Sequence, residues 1–140
     1  MDAGLTVRAA AAHEVVEVRW PVLRPGRPRE TASFVGDEAP DTRHWVAVLD
    51  GALVGCVSVV AQPWEGVAWR LRGMAVLSSL QRRGVGRRLL DVVHAEVAAP
   101  MWCEAREVAV PFYAAAGWQV RSEAYEIVGI GPHHKMTWVP

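Results

Sequence analysis

The sequence predicts an α/β domain: a mixed central sheet of about six to seven strands flanked by helices. Three observations predict it. Residues 69–90 read as a strand, a glycine-bearing turn and the start of a helix. Ahead of them, β-branched runs are joined by Asp50-Gly51, a strong two-residue hairpin signal. Behind them, apolar segments at strand and helix spacing alternate to the end of the chain.

Residues 5–9 form a predicted first strand. Residues 10–20 have helical character, with Val15, Val16 and Val18 set among Glu14, Glu17 and Arg19. Pro21 limits or kinks that helix, because it lacks the N–H that a helix interior needs. Residues 23–44 are rich in proline, glycine and charge and read as a long ordered loop with one helical turn; Phe34 and Val35 are its apolar points. A connection of that length in a compact domain is usually functional or mobile. Residues 45–49 are a strand, and residues 52–61 return beside it, with Val54, Val57, Val59 and Val60 supplying β-branched content. Residues 62–66 turn into the central strand. There Trp69, Leu71 and Gly73 alternate with Arg70, Arg72 and Met74, and Ala75-Val76 extends the run.

The organising helix is predicted over residues 84–98, with Leu89, Leu90, Val93, His94 and Val97 on one face. Pro100 ends it. Residues 101–105 are a buried strand, and residues 108–116 a second helix whose C′ position is Gly117. Residues 118–127 and 135–139 are the last strands, separated by a glycine-proline turn region over 128–134. No repeat, linker or low-complexity stretch interrupts the chain, so residues 1–140 are expected to form a single domain.

Composition narrows the class. A hydrophobic content of 51% and an aromatic content of 8% mark a folded globule. Lys plus Arg and Asp plus Glu are 15 each, which argues against a nucleic-acid binder by bulk charge. Positive charge is instead concentrated in Arg82, Arg83, Arg87 and Arg88, which suits a small anionic ligand. Cys56 and Cys103 offer neither a disulfide framework nor metal spacing, so a reducing cytoplasm is expected. Lys135 is the one lysine, and arginine, alanine, valine and glycine dominate, as in a GC-rich bacterial gene. Asp2 and its neighbours form no apolar signal-peptide core. No apolar run reaches the roughly 18 residues that span a bilayer, so no membrane partner is expected.

The turn Gln81-Arg82-Arg83-Gly84-Val85-Gly86 carries the chemistry. Glycines at the mouth of a helix let a ligand approach the backbone. The first helical N–H groups lack internal partners, and the macrodipole adds partial positive charge. With the four arginines beside it, this is a pyrophosphate cradle. Each charge-assisted hydrogen bond to phosphate is worth roughly 1.5–3 kcal/mol. A P-loop is excluded because no Lys-Ser or Lys-Thr follows, and the dinucleotide fingerprint because Leu89 stands where its third glycine belongs.

Gln81, Gly84 and Gly86 match Q/R-x-x-G-x-G/A, and the chain thereby resembles the GNAT superfamily of N-acetyltransferases, whose acetyl-CoA signature this is. The preceding Arg72-Gly73-Met74-Ala75-Val76 is similar to that family's fourth strand. Phe112 to Trp118 resembles its F-Y-x-x-x-G-F motif, with Trp118 in place of the usual Phe. Glu104-Ala105-Arg106, Leu23-Arg24-Pro25-Gly26 and the tail from Gly131 to Met136 are similar to a subgroup of short bacterial members ending in G-I-P-H-x-x-M, with Gly131 where Ile is usual. The resemblance covers nearly the whole chain.

It implies the GNAT fold, with the fourth and fifth strands splayed by a bulge to make a cleft for acetyl-CoA. Backbone groups of Met74, Ala75 and Val76 would pair with the pantetheine arm and polarise the acetyl carbonyl. Gln81, Arg82, Arg83, Gly84, Val85, Gly86, Arg87 and Arg88 would hold the pyrophosphate. Tyr113 would be the general acid, since a phenol with an ordinary pKa of about 10 stays protonated at neutral pH and can donate to a leaving thiolate. The implied reaction is direct transfer from acetyl-CoA, as cosubstrate, to a primary amine.

The general base is open among Glu126, His133, His134, Asp41, Glu38 and His44. No metal is expected: adjacent His133 and His134 point to opposite faces of an extended segment, and no third ligand has suitable spacing. Cys103 reads as buried core and an unsuitable nucleophile. The acceptor is open among small amines, amino acids, antibiotics and peptide N-termini, with residues 23–44 and 129–134 shaping its pocket. Asp37, Glu38 and Asp41 point to a cationic acceptor. The alternatives are a non-catalytic acyl-CoA-binding or regulatory module, a succinyl- or malonyl-CoA enzyme, and a nucleic-acid binder, which the lack of aromatic interleaving disfavours. Both a monomer and a homodimer fit the sequence.

Overall fold

A computed structural model describes residues 4–140, so Asp2 lies outside the described residues. Strand β1 (Thr6–Ala10) pairs antiparallel with β2 (Arg43–Leu49), β2 with β3 (Ala52–Trp64), and β3 with β4 (Val67–Val76). The two hairpin turns are local chemistry. Asp50 and Gly51 both take positive φ, 51° and 80°, and Glu65 and Gly66 do the same at 49° and 81°. That handedness matches the twist of the flanking strands. The second turn is tighter than the predicted 62–66, because pairing continues to Trp64 and Val67.

Helix α2 (Val85–Val97) follows β4 and carries the chain to β5 (Met101–Arg106), which lies parallel to β4. Then come α3 (Val110–Ala115), β6 (Gln119–Val120), β7 (Tyr125–Ile127) and β8 (Gly131–Trp138). The sheet order is β1-β2-β3-β4-β5-β8-β6, with β7 also paired to β8, giving eight strands among the described residues. The predicted strand 118–127 is split in two. Ser122 Oγ takes the N–H of Lys135 at 2.8 Å, so a hydroxyl replaces a ladder carbonyl there. The predicted turn region is shorter than expected, since β8 already begins at Gly131 and contains both His133 and His134.

Helix α2 buries Val85, Leu89, Leu90 and Val93 against one face of the sheet, with Trp45, Leu71, Met101 and Met136. Each fully buried Leu or Val contributes about 1.5–3 kcal/mol by leaving water. At the edge of this core His94 stacks on Trp138 at 4.0 Å and accepts the indole N–H of Trp118 at 2.9 Å, which joins α2 to both ends of the last hairpin. Helix α1 (Ala12–Leu23) covers the other face through Val15 and Val18 against Val46, Cys56 and Ala75. Glu14 starts it, accepting from the Ala11 N–H at 3.0 Å and from Arg8 at 2.7 Å. The Arg8 guanidinium and that N–H hold its carboxyl at about 2.

Pro21 does not end α1. It lies in the exposed last turn, where it forfeits one backbone bond, and the helix closes on Arg24 N–H to Trp20 O at 3.1 Å. Arg19 is fully buried beneath it. Its guanidinium donates to Asp37 at 2.6 and 3.1 Å, to Ser58 Oγ at 2.9 Å and to Ala32 O at 3.1 Å. These bonds pin the 24–42 connection, with its 3-10 turn Arg29–Ala32, onto the sheet.

Candidate active site

Strands β4 and β5 pair only at Trp69–Met101 and Arg70–Trp102, and then part. The cause lies in β4. Cys56 faces Ala75 and Ser58 faces Arg72, so Gly73 and Met74 together oppose Val57. This is a β-bulge, which bends a strand and increases its twist. Gly73 has φ 69°, and a Cβ there would stand 3.0 Å from Arg19 Nε, so glycine alone lets the buried guanidinium pack against the bulge. The result is a cleft of about 950 Å³. It runs from the start of α2, past Met74, Ala75 and Val76, to Tyr113, and on beneath the end of α1.

At one end of the cleft the chain passes through a 3-10 turn, Ser78–Leu80, into the glycine loop. Gln81 Nε2 donates to Val76 O at 3.1 Å and ties this loop to the end of β4. Arg82 and Gly84 both take positive φ, 65° and 83°. Gly84 caps α2 without a side-chain hydrogen bond, so the opening amides of the helix have no side chain to satisfy them. The two glycines serve different ends. Nothing lies within 4 Å of a Cβ placed on Gly84, which leaves that cradle open to a ligand. A Cβ on Gly86 would stand 3.2 Å from Phe112 Cζ, so Gly86 lets α2 pack against α3. Replacing Gly84 with alanine should cost about 1–2 kcal/mol of stability through its left-handed backbone alone, read as a lower denaturant midpoint with unchanged slope.

Gln81, Arg82, Gly84, Val85, Gly86 and Arg87 line the cleft. Arg87 also bonds Asp91 at 2.9 Å and Ala115 O at 3.3 Å. Arg83 and Arg88 are not among the lining residues, and Arg88 donates to Leu5 O at 3.2 Å, beside β1.

Tyr113, on α3, is buried between Phe112 and Trp118, with ring centroids 5.0 and 5.4 Å away in edge-on contact. Burial pushes its phenol well above the ordinary value, and neighbouring Cys103 adds to this. The hydroxyl is therefore protonated at neutral pH. Burial likewise raises both thiols, Cys56 to about 12, which leaves neither as a thiolate.

The structure sorts the candidate bases. His133 is buried and lines the cleft. Its Nδ1 lies 2.8 Å from Gly131 O. A carbonyl only accepts, so Nδ1 is the donor, and in the neutral imidazole the lone pair is on Nε2. His134 bonds Ser122 O at 3.1 Å and does not line the cleft. Both ring nitrogens of His44 are engaged, with Ser58 Oγ at 2.6 Å and Asp37 O at 2.9 Å. Glu38, Asp41 and Glu126 are exposed and away from the cleft. Asp37 is spent on Arg19 and on Arg72 at 3.2 Å, so the acidic loop residues present no negative face to an acceptor.

Sequence reasoning passed over Glu104. It lines the cleft, bonds Arg70 at 2.7 Å and accepts the Tyr125 hydroxyl at 2.7 Å. Burial, then Glu104, raises the Tyr125 phenol. An acid inside an otherwise apolar strand was the available signal. Among the described residues no group of three or more His, Cys, Asp or Glu side chains is placed to hold a metal.

A mixed sheet opened between two parallel strands, with an uncapped helix start at the mouth of the gap, is the architecture of an N-acyltransferase. The family model for the GNAT acetyltransferase domain matches residues 40–120. The uncharacterized N-acetyltransferase YitI of Bacillus subtilis is 31% identical over 137 residues, covering 92% of each chain. A solved structure from Corynebacterium glutamicum, described as histone acetyltransferase HPA2 and related acetyltransferase, superposes with a TM-score of 0.81 at 19% identity, covering 99% of this chain and 97% of that one. A GNAT family acetyltransferase from Elizabethkingia anophelis, solved with acetyl-CoA bound, superposes at 0.71 and 14% identity, covering 99% and 100%. The chain belongs to the GNAT acetyltransferase family.

Proposed function

We propose that this protein is an acetyl-CoA-dependent N-acetyltransferase that passes the acetyl group directly to a primary amine. The observation that carries this reading is the parting of β4 and β5 after two residue pairs, beside an uncapped helix start with an open left-handed glycine. The residues present fit the ligand. The amides around Gly84, Val85 and Gly86, with Arg82 and Arg87, suit a diphosphate. The free edge of β4 at Met74, Ala75 and Val76 suits the amide-bearing arm. Gln81 braces the loop, and Arg83 and Arg88 add to the positive field around the helix start.

Acetyl-CoA supplies an activated thioester. The chain supplies orientation, charge stabilisation and proton handling. A β4 amide beside the bulge polarises the carbonyl, a contribution of about two to three orders of magnitude in rate for one such donor. His133 Nε2 takes the amine proton, and Tyr113 supplies the proton the departing sulfur needs. One N–C bond forms and one C–S bond breaks, with no covalent link to the protein.

The test is thiol release from acetyl-CoA across a panel of amines. Acetyl-CoA binding by calorimetry with no amine-dependent release would leave a binding module; absence of both would end the reading. Tyr113→Phe keeps the ring packing and removes the acidic hydrogen. It should lower kcat about a hundredfold at saturating acetyl-CoA while leaving acetyl-CoA affinity intact; an unchanged kcat removes Tyr113 from the mechanism.

A further inference from the structure

The half of the cleft beneath the end of α1 carries more positive than negative charge. Arg24, Arg70, Arg72 and Arg106 line it, and Glu104 is the one acid among the lining residues. Arg70 is matched by Glu104 at 2.7 Å and Arg72 by Asp37 at 3.2 Å. Asp37 is also the partner of buried Arg19, so one carboxylate serves two guanidinium groups. Arg24 and Arg106 have no carboxylate partner among the described residues. The side chain of Arg24 reaches only the Leu23 carbonyl, at 3.0 Å, and lies over the Phe34 ring, whose centroid is 5.3 Å away. Burial, and repulsion from Arg27, Arg106 and Arg19, hold the Arg24 guanidinium below its ordinary value. Two unmatched guanidinium groups in one cleft complement an anion.

The remaining wall there is apolar, formed by Val22, Leu23, Phe34, Ile127 and Ile130. We propose that the acceptor is a small amine that also bears a carboxylate and an apolar side chain, with Arg24 and Arg106 holding the carboxylate. This rests on the acetyl-transfer reading and narrows its substrate class. It reverses the expectation of a cationic acceptor, because the loop acids that prompted it are buried in an ion pair or lie off the cleft. The bond changes are those of the amine transfer above. An amine without the acid group leaves the arginine pair uncompensated.

The experiment compares matched amines: leucine against isoamylamine, and phenylalanine against phenethylamine. The acid-bearing member should have the higher kcat/KM by roughly ten- to a hundredfold, the value of one charge-assisted bond. In Arg24→Gln and Arg106→Gln that ratio should fall towards one. Taking a ratio within each variant cancels any loss of folded protein. A ratio near one in the unmodified protein overturns the proposal. So does a rise in the KM for acetyl-CoA with the ratio unchanged, which would reassign the arginines to the cosubstrate. If no amine is acetylated, the acetyl-transfer reading fails separately. Calorimetry of N-acetylleucine against N-isoamylacetamide on the CoA-loaded protein then decides: selective binding of the acid upholds the anion subsite, and equal or absent binding overturns it.

Discussion

Replacing His133 with glutamine should lower kcat/KM for the best amine of the panel by about 10²–10⁴-fold, the range for loss of a positioned general base. The variant keeps a side-chain N–H for Gly131 O and loses the lone pair at Nε2. Two features support the proposed role of base. The carbonyl at 2.8 Å sets the tautomer, and the side chain sits in the cleft wall while the other five candidates do not. Acetyl-CoA affinity measured by calorimetry separates the roles: loss of a support should weaken cosubstrate binding together with the rate, whereas loss of a base should lower the rate alone. A variant that keeps the rate would assign proton removal to water.

Asp37→Asn should destabilise the fold by about 3–5 kcal/mol, because removing one partner leaves a buried charge uncompensated. The charge is that of Arg19, which is fully buried, with Arg72 beside it. Burial pushes the Asp37 carboxyl up, yet Arg19, the Phe34 N–H and Arg72 outweigh it and leave the group below its ordinary value. The sign of the pH effect follows. The unfolded chain takes up the proton at a higher pH than the folded one. The stabilisation is therefore complete above the unfolded carboxylate value, about 3.9, and is lost as pH falls through the lowered folded value. Urea unfolding across that range measures it. Asp37→Asn should remove that part of the acid sensitivity, and an unchanged urea midpoint at neutral pH would show that Arg19 finds its compensation elsewhere. Because Arg19 packs against Gly73, loosening this pair should also disturb the bulge that opens the cleft.

The legible parts of the site are those made by neighbours in sequence. Gly84 needs a left-handed backbone where a loop becomes a helix, and the glycine signals that by itself. Asp50-Gly51 announces its hairpin in the same way, and Tyr113 follows from a motif on one short helix. Gly86 has a packing reason that lies 26 positions away, in Phe112, which no local pattern shows. Arg19 read as the polar edge of an amphipathic helix, whereas its partners stand 18 and 39 positions along the chain. Pro21 misled in the opposite direction, since its cost depends on whether its turn faces water.

By itself the sequence determined the α/β class, the strand-turn-helix cradle with its open glycine, and the protonated phenol on α3, because each depends on backbone preference or side-chain chemistry within about a dozen residues. Only the tertiary structure decided which imidazole faces the cleft and which arginines are left without a carboxylate. Those are matters of burial and charge compensation. They arise when strands distant in the chain, such as β5 and β8, are set side by side, and no local pattern records which charges will meet there.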